Sequence, residues 1–269
     1  DWSSDVCSSD LPDWHAAVRA TFLPAIGPTR EMLAMLVAIL GTTISPYLFF
    51  WQTSEEVEEL QEHAINPRMV PPRRMAALLR GADADIGVGM LAANVAYFFV
   101  LLTAAATLHA RGFTSIQTAQ DASEALHPLA GPAASLLFAI GIVGTGLLAV
   151  PVLGGGVAYA TAELFDWPEG LGKSWRQAPR FYAVIALATA GAVGILFSPV
   201  TPIRALFVAA VLNGLVAPVL LVFLMLAAQD DTVLGEWRVR GVRLVAGWVT
   251  TAVMAAAAIA LLVLLFRPR

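Results

Sequence analysis

Residues 41–60 read GTTISPYLFFWQTSEEVEEL. The stretch overlaps a run of 23 uncharged residues, Met32–Ser54. About 20 apolar residues cross a hydrocarbon core about 30 Å thick, so the run predicts a membrane-spanning helix. Yet Gly41, Thr42, Thr43, Ser45 and Pro46 interrupt it midway, and Glu55, Glu56, Glu58 and Glu59 follow at its end. Pro46 has no N–H to donate, and its ring crowds the carbonyl four residues back, that of Thr42. In lipid each freed backbone group is costly, so such a break needs protein or a polar cavity around it.

Two readings of the break stand. One is a proline kink whose Ser and Thr hydroxyls bond back to the helix. The other is an unwound segment in which carbonyls around Gly41–Thr43 and the hydroxyls of Thr42, Thr43 and Ser45 face inward as cation ligands. Secondary transporters bind substrates and coupling ions at mid-membrane breaks of this kind.

The rest of the chain agrees with a membrane protein. It is 58% hydrophobic and 13% charged, with a mean hydropathy of +0.73, whereas soluble domains carry about 25% charged residues. The charges are too few and scattered for a nucleic-acid face. Five further spans are predicted, at about 86–108, 134–162, 181–200, 205–229 and 244–266. The third lies in an uncharged stretch, Leu129–Ala162, whose 34 residues would make a helix of about 51 Å. Pro132, Pro151 and Gly154-Gly155-Gly156 suggest a short external segment and then a span that bends or packs closely. Pro218 and an isolated Asn213 fall in the fifth.

DWSSDVCSSD, residues 1–10, reads as the translation of a sequencing adapter and is excluded from fold reasoning. Cys7, the only cysteine, goes with it. Removing Asp1, Asp5 and Asp10 moves the net charge from −4 to −1. The expectation is a coding sequence cut on its 5′ side. Residues 11–31 are expected to be an external loop and 32–269 the transmembrane domain.

Ten of the sixteen basic residues fall in the loops after spans one, three and five: Arg68, Arg73, Arg74, Arg80, Lys173, Arg176, Arg180, Arg238, Arg240 and Arg243. The bias places those loops in the cytoplasm, and the membrane is expected to be a bacterial inner membrane. In the external loop after span two, Ile116, Ala119, Ala122 and Leu126 share a face expected of a surface helix.

The broken stretch resembles the sixth helix of the Nramp divalent-metal transporters, in a branch without the family's Met-Pro-His motif. Ser45 stands at the methionine position, Pro46 keeps its place, and Tyr47 stands at the first histidine. Gln52 falls at a second histidine, Thr42 at a backbone-carbonyl ligand, and Asn213 at a polar amide of the tenth helix. The resemblance covers Leu11–Arg269 and is most specific over Gly41–Glu59. It implies an all-α polytopic membrane protein with six transmembrane helices, helices six to eleven of a LeuT-like inverted-repeat transporter. It also implies a missing N-terminal half that holds the carboxylate ligand.

On this resemblance Thr42, Ser45 and Asn213 are the expected metal ligands. Thr43, Pro46, Tyr47, Gln52 and Glu55 are expected along the ion pathway or its gate. Serine offers a hard oxygen where methionine offers a soft sulfur, which favours Mg²⁺ or Mn²⁺ over softer ions. Histidine titrates near neutrality and an unperturbed tyrosine near about pH 10, so weak or absent proton coupling is expected. The expected function is secondary transport of divalent cations of the Mn²⁺/Mg²⁺/Fe²⁺ class, with no cofactor, the fragment being inactive alone. The partners are the ion and the bilayer. A carrier of amino acids or other organic substrates on the same fold is the alternative.

Other signals stay open or fail. Asn213 is either a ligand or an interhelical hydrogen-bonding group. The glutamates are either a cation-concentrating vestibule or a solvated helix end. Trp51, Trp167, Trp175, Trp237 and Trp248 suit membrane interfaces. His15, His63, His109 and His127 lack metal-ligand spacing, and Gly154–Gly156 lacks the GK[ST] of a nucleotide loop. An enzyme would need a nucleophile–base pair or HExxH at membrane depth, and neither is visible.

Overall fold

A computed structural model describes residues 14–23, 29–63, 69–105, 118, 120, 123, 131 and 133–266. The described elements are α-helical: α1 Trp14–Phe22, α2 Arg30–Thr43, α3 Pro46–Glu62, α4 Pro72–Ala104, α5 Ala133–Leu164, α6 Pro179–Leu196, α7 Pro202–Gln229, α8 Asp231–Leu234 and α9 Val242–Phe266. A 3₁₀ turn, Gly235–Trp237, precedes α9. Six helical paths are long and apolar enough to cross a membrane, with α2 and α3 together forming the first. The protein is an integral membrane protein.

The helices differ from the sequence reading in three places. α1 occupies part of the stretch expected to be loop. α4 begins at Pro72, where proline suits the first helical position, so Arg73, Arg74 and Arg80 sit on its first turns and not in a loop. Arg80 is held there by its Nε–H donating to the Ala76 carbonyl at 3.1 Å. α5 runs unbroken through Pro151 for 32 residues, about 48 Å. A helix that long tilts or extends past the hydrocarbon. The surface helix expected at Ile116, Ala119, Ala122 and Leu126 lies outside the described residues.

The chain divides into two compact units, residues 1–25 with 54–149 and residues 26–53 with 150–269. In the first, α4 has no buried residue, and Asn94 bonds back along the helix to the Met90 carbonyl at 2.7 Å. Arg80, Asn94 and Thr103 thus bond back along their own helix.

The second unit holds the core. Lipid is as apolar as leucine, so helices associate in it by close packing of small residues rather than by hydrophobic burial. α2, α7 and α9 follow that rule. Val37, Ala38 and Gly41 of α2 are buried, as are Ala210, Gly214, Ala217 and Leu221 of α7 and Met254 and Ala258 of α9. Ala217, Leu221 and Met254 form one cluster, with Leu40, Ile44 and Phe49 against it. A second cluster joins Ala158, Tyr159 and Ala162 of α5 to Ala178 and Phe181 at the start of α6, with Trp51 packed on it.

Candidate functional site

α2 starts at a threonine cap, the Thr29 hydroxyl accepting from the Met32 N–H at 3.2 Å, and stays helical to Thr43. Ile44 then leaves the helix at φ −114°, ψ 81°, its N–H still donating to the Leu40 carbonyl. α3 begins at Pro46, whose ring presets the first helical φ. The break is therefore two residues long, Ile44 and Ser45.

A helix C-terminus leaves its last four carbonyls without intrahelical donors, and it carries partial negative charge. Here Ile44 N–H takes the Leu40 carbonyl at 2.9 Å. The Ser45 hydroxyl, 3% exposed, donates to the Thr42 carbonyl at 3.0 Å, with a longer approach of 3.4 Å to Gly41. The proton that Pro46 cannot supply to Thr42 thus comes from a side chain.

The spacing is that of an ordinary hydrogen bond and is also compatible with a small cation. Adjacent oxygens of an octahedral ion with bonds of about 2.1 Å lie roughly 3 Å apart, the spacing of Ser45 Oγ and the Thr42 carbonyl oxygen. A cation can replace the hydroxyl proton on the carbonyl and accept a lone pair of Oγ without moving either atom far.

The threonine hydroxyls depart from expectation. Thr42 Oγ1 and Thr43 Oγ1 both donate to the Ile39 carbonyl, at 2.9 and 2.8 Å. A helical threonine reaches the carbonyl three or four residues back more easily than a point beyond its own turn. All three hydroxyls, that of Ser45 included, therefore bond back to the helix as in the kink reading.

Asn213 is half-buried on α7. Its neighbours fix where α2 and α7 cross. A Cβ built on Gly41 would overlap the Ala210 carbonyl and the backbone of Gly214, and one built on Gly214 would overlap the Val37 carbonyl. Asn213 adjoins Gly214 in the chain, and Gly214 is the residue at the crossing. Tyr47 is half-buried, Pro46 buried, and Thr43, Gln52 and Glu55 exposed. Gln52 and Glu55 lie seven and ten residues beyond Ser45 on α3, two and three turns from the break.

Sequence reasoning missed the braces. Gly41, read as a breaker, is helical and a packing notch. The glycines of α5 seat the other side. A Cβ on Gly155 would enter the Trp51 ring, and one on Gly156 would sit 2.9 Å from the Tyr47 carbonyl. Trp51 stands edge-on to Tyr159 at 5.9 Å, and Tyr159 to Phe181 at 4.8 Å. Trp51 packs against this cluster. The triple glycine announced close packing, but nothing local named its partner.

Among the described residues no group of three or more His, Cys, Asp and Glu side chains gathers as a metal site. Outside the spans, the Asp230 carboxyl, which caps α8, is held below the ordinary carboxylate range. The Thr232 hydroxyl is the main cause, followed by the Thr232 N–H, with burial opposing and the Val233 N–H adding.

The family model described as natural resistance-associated macrophage protein-like (Nramp) matches residues 10–264. A divalent metal cation transporter MntH of Burkholderia ambifaria is 27% identical over 248 residues, 90% of this chain and 51% of that protein. Its counterpart of Deinococcus radiodurans is 28% identical over 244 residues, again 90% and 51%. That of Xanthomonas campestris is 31% identical over 135 residues, 49% of this chain and 29% of its own length. The chain spans about half the length of the first two.

Proposed function

The chain belongs to the Nramp family, and on that premise we propose that it forms part of a carrier that moves divalent metal cations across a membrane and binds them at the break in its first span. The relatives are named as divalent metal cation transporters, and transporters of this family are not enzymes. The observation that carries the reading is the pair of oxygens at the break, the Ser45 hydroxyl and the Thr42 carbonyl, 3.0 Å apart in an apolar span.

In this reading Thr42 binds through its carbonyl and Ser45 through its hydroxyl, with Asn213 reaching the ion directly or through a water. Pro46 keeps the Thr42 carbonyl clear of a backbone donor. Thr43, Tyr47, Gln52 and Glu55 line the way to and from the ion. A carboxylate ligand comes from the half of the relatives' length that this chain does not span, so the residues here do not transport alone. Hard oxygens select Mg²⁺ or Mn²⁺ over softer ions. The loops after spans one, three and five face the cytoplasm of a bacterial inner membrane, on the bias of basic residues. Without histidine at positions 47 and 52, proton movement is weakly coupled or uncoupled.

Uptake of Mn²⁺ against Mg²⁺ by the protein joined to its N-terminal half tests the site. Ser45→Met should shift the preference toward Mn²⁺ by about tenfold, the soft thioether replacing a hard ligand. An unchanged preference overturns the assignment of Ser45. Vesicle lumens that acidify one-for-one with metal entry would overturn the weak coupling.

A further inference from the structure

Residues 165–178 join α5 to α6 and combine indoles with cations. Phe165 stacks on Trp167, with centroids 5.0 Å and planes 20° apart. The Arg180 guanidinium lies 5.2 Å over the Trp167 ring, and that of Arg176 5.5 Å over Trp175. Phe165 and Trp175 are nevertheless 57% and 66% exposed. A cavity of ≈ 250 Å³ is lined by Pro168, Pro179 and Arg180.

The segment is held in place from both helices. The Tyr159 hydroxyl of α5 accepts from the Leu171 N–H at 3.1 Å. The Tyr182 hydroxyl of α6 donates to the Lys173 carbonyl at 2.8 Å. The Ser174 N–H and hydroxyl both donate to Gln177 Oε1, at 2.8 and 3.1 Å. Among the described residues Lys173, Arg176 and Arg180 enter no ion pair. The acids in and beside the segment, Glu163 at the end of α5, Asp166 and Glu169, all precede the cations in the chain.

We propose that this segment binds the headgroup of an anionic phospholipid. Two membrane helices end at its margins, so it lies at a lipid–water interface, where aromatic rings settle at headgroup level. Phe165 and Trp175 supply apolar area for the acyl boundary. A guanidinium held over an indole still has N–H groups to offer, and these match a phosphodiester in a bidentate way. Arg180 borders the cavity that would take the phosphate. A free phosphate makes no use of the exposed rings, which is why the lipid is the chosen source. Because the acids offset the cations in sum, selection rests on where the arginines stand and not on bulk charge.

The test uses the whole chain in detergent, with phosphatidylglycerol, phosphatidylcholine and inorganic phosphate offered separately. Native mass spectrometry counts retained lipid, and thermal unfolding reads stabilisation. Near a surface each basic residue is worth about a fivefold preference for anionic lipid, so Arg176→Gln with Arg180→Gln should lower phosphatidylglycerol retention roughly 25-fold. Arg204→Gln, at the start of α7, should leave it unchanged. Wild-type competition between the two lipids needs no variant and should favour phosphatidylglycerol. Equal retention of both lipids, full retention by the double variant, or equal stabilisation by inorganic phosphate overturns the proposal.

Discussion

Gly41 on α2 meets the backbone of α7, whereas Tyr47 and Trp51 on α3 meet two glycines of α5. The two helices are halves of one apolar run and share α7 and α9 through Leu40 and Phe49, yet their glycine contacts differ: α2 meets α7, and α3 meets α5. In α2 the glycine makes the notch, and the partner is backbone that cannot retreat. In α3 the glycines lie on the partner, and the inserted group is largely a ring. Each half thus has a close glycine contact of its own, and between them the Ile44 N–H and the Ser45 hydroxyl satisfy carbonyls at the end of α2.

The contrast predicts unequal sensitivity. Gly41→Val places branched carbons where α7 backbone already lies, and overpacking of that kind should cost about 3 kcal/mol or more. Denaturation of the chain in detergent micelles measures it, and a loss under about 1 kcal/mol would mean that α2 and α7 are not locked by glycine. Trp51→Ala removes one partly buried ring with its edge-on contact to Tyr159, and should cost less, about 2 kcal/mol. It should also leave α2 on α7 undisturbed. If Trp51→Ala costs as much as Gly41→Val, the two glycine contacts are of equal weight.

Much of this was legible in the sequence, and the missing part has a physical pattern. The six spans follow from hydropathy, and the break from one proline, because both are local properties. The division of labour at the break is not local. Gly41 beside two threonines reads as a breaker, and only the presence of Gly214 across the interface turns it into a notch. The start of α4 was read as loop because Arg73, Arg74 and Arg80 signal water, and a helix emerging from a membrane shows the same charges. Thr42 and Ser45 are expected as ligands through the family resemblance, and they share one turn because three residues separate them. Asn213 announced itself as a polar group in a span, but its place beside the crossing depended on a contact with a distant part of the chain.

Ser45→Ala sharpens the comparison at the point where the halves meet. It removes the only hydroxyl that reaches the Thr42 carbonyl among the described residues, and should cost about 1 kcal/mol. The break itself should persist, since Pro46 still withholds a donor. Amide exchange at Ile44 and Leu48 reports this directly. Protection rising to the level of the helix interior would mean that serine, not proline, keeps the halves apart.

The smallest effect concerns the far end of α7. If α2 is held at mid-helix by Gly41 and Gly214, loosening the end of α7 should not release it. Asp230 sits at that end, its carboxylate accepting from the Thr232 N–H and hydroxyl, each at 2.7 Å. Those bonds lower its folded pKa below the unfolded value of 3.8, so its contribution is complete above about pH 3.8 and is lost as pH falls through the folded value. Asp230→Asn keeps a cap but does not titrate. Between pH 6 and pH 3 the wild type should therefore lose amide protection at Thr232 and Val233 relative to Asp230→Asn measured at the same pH. Protection at Gly214 should be the same in both proteins throughout. A parallel loss at Gly214 would show that the grip of α7 on α2 depends on the end of the helix and not on its glycines.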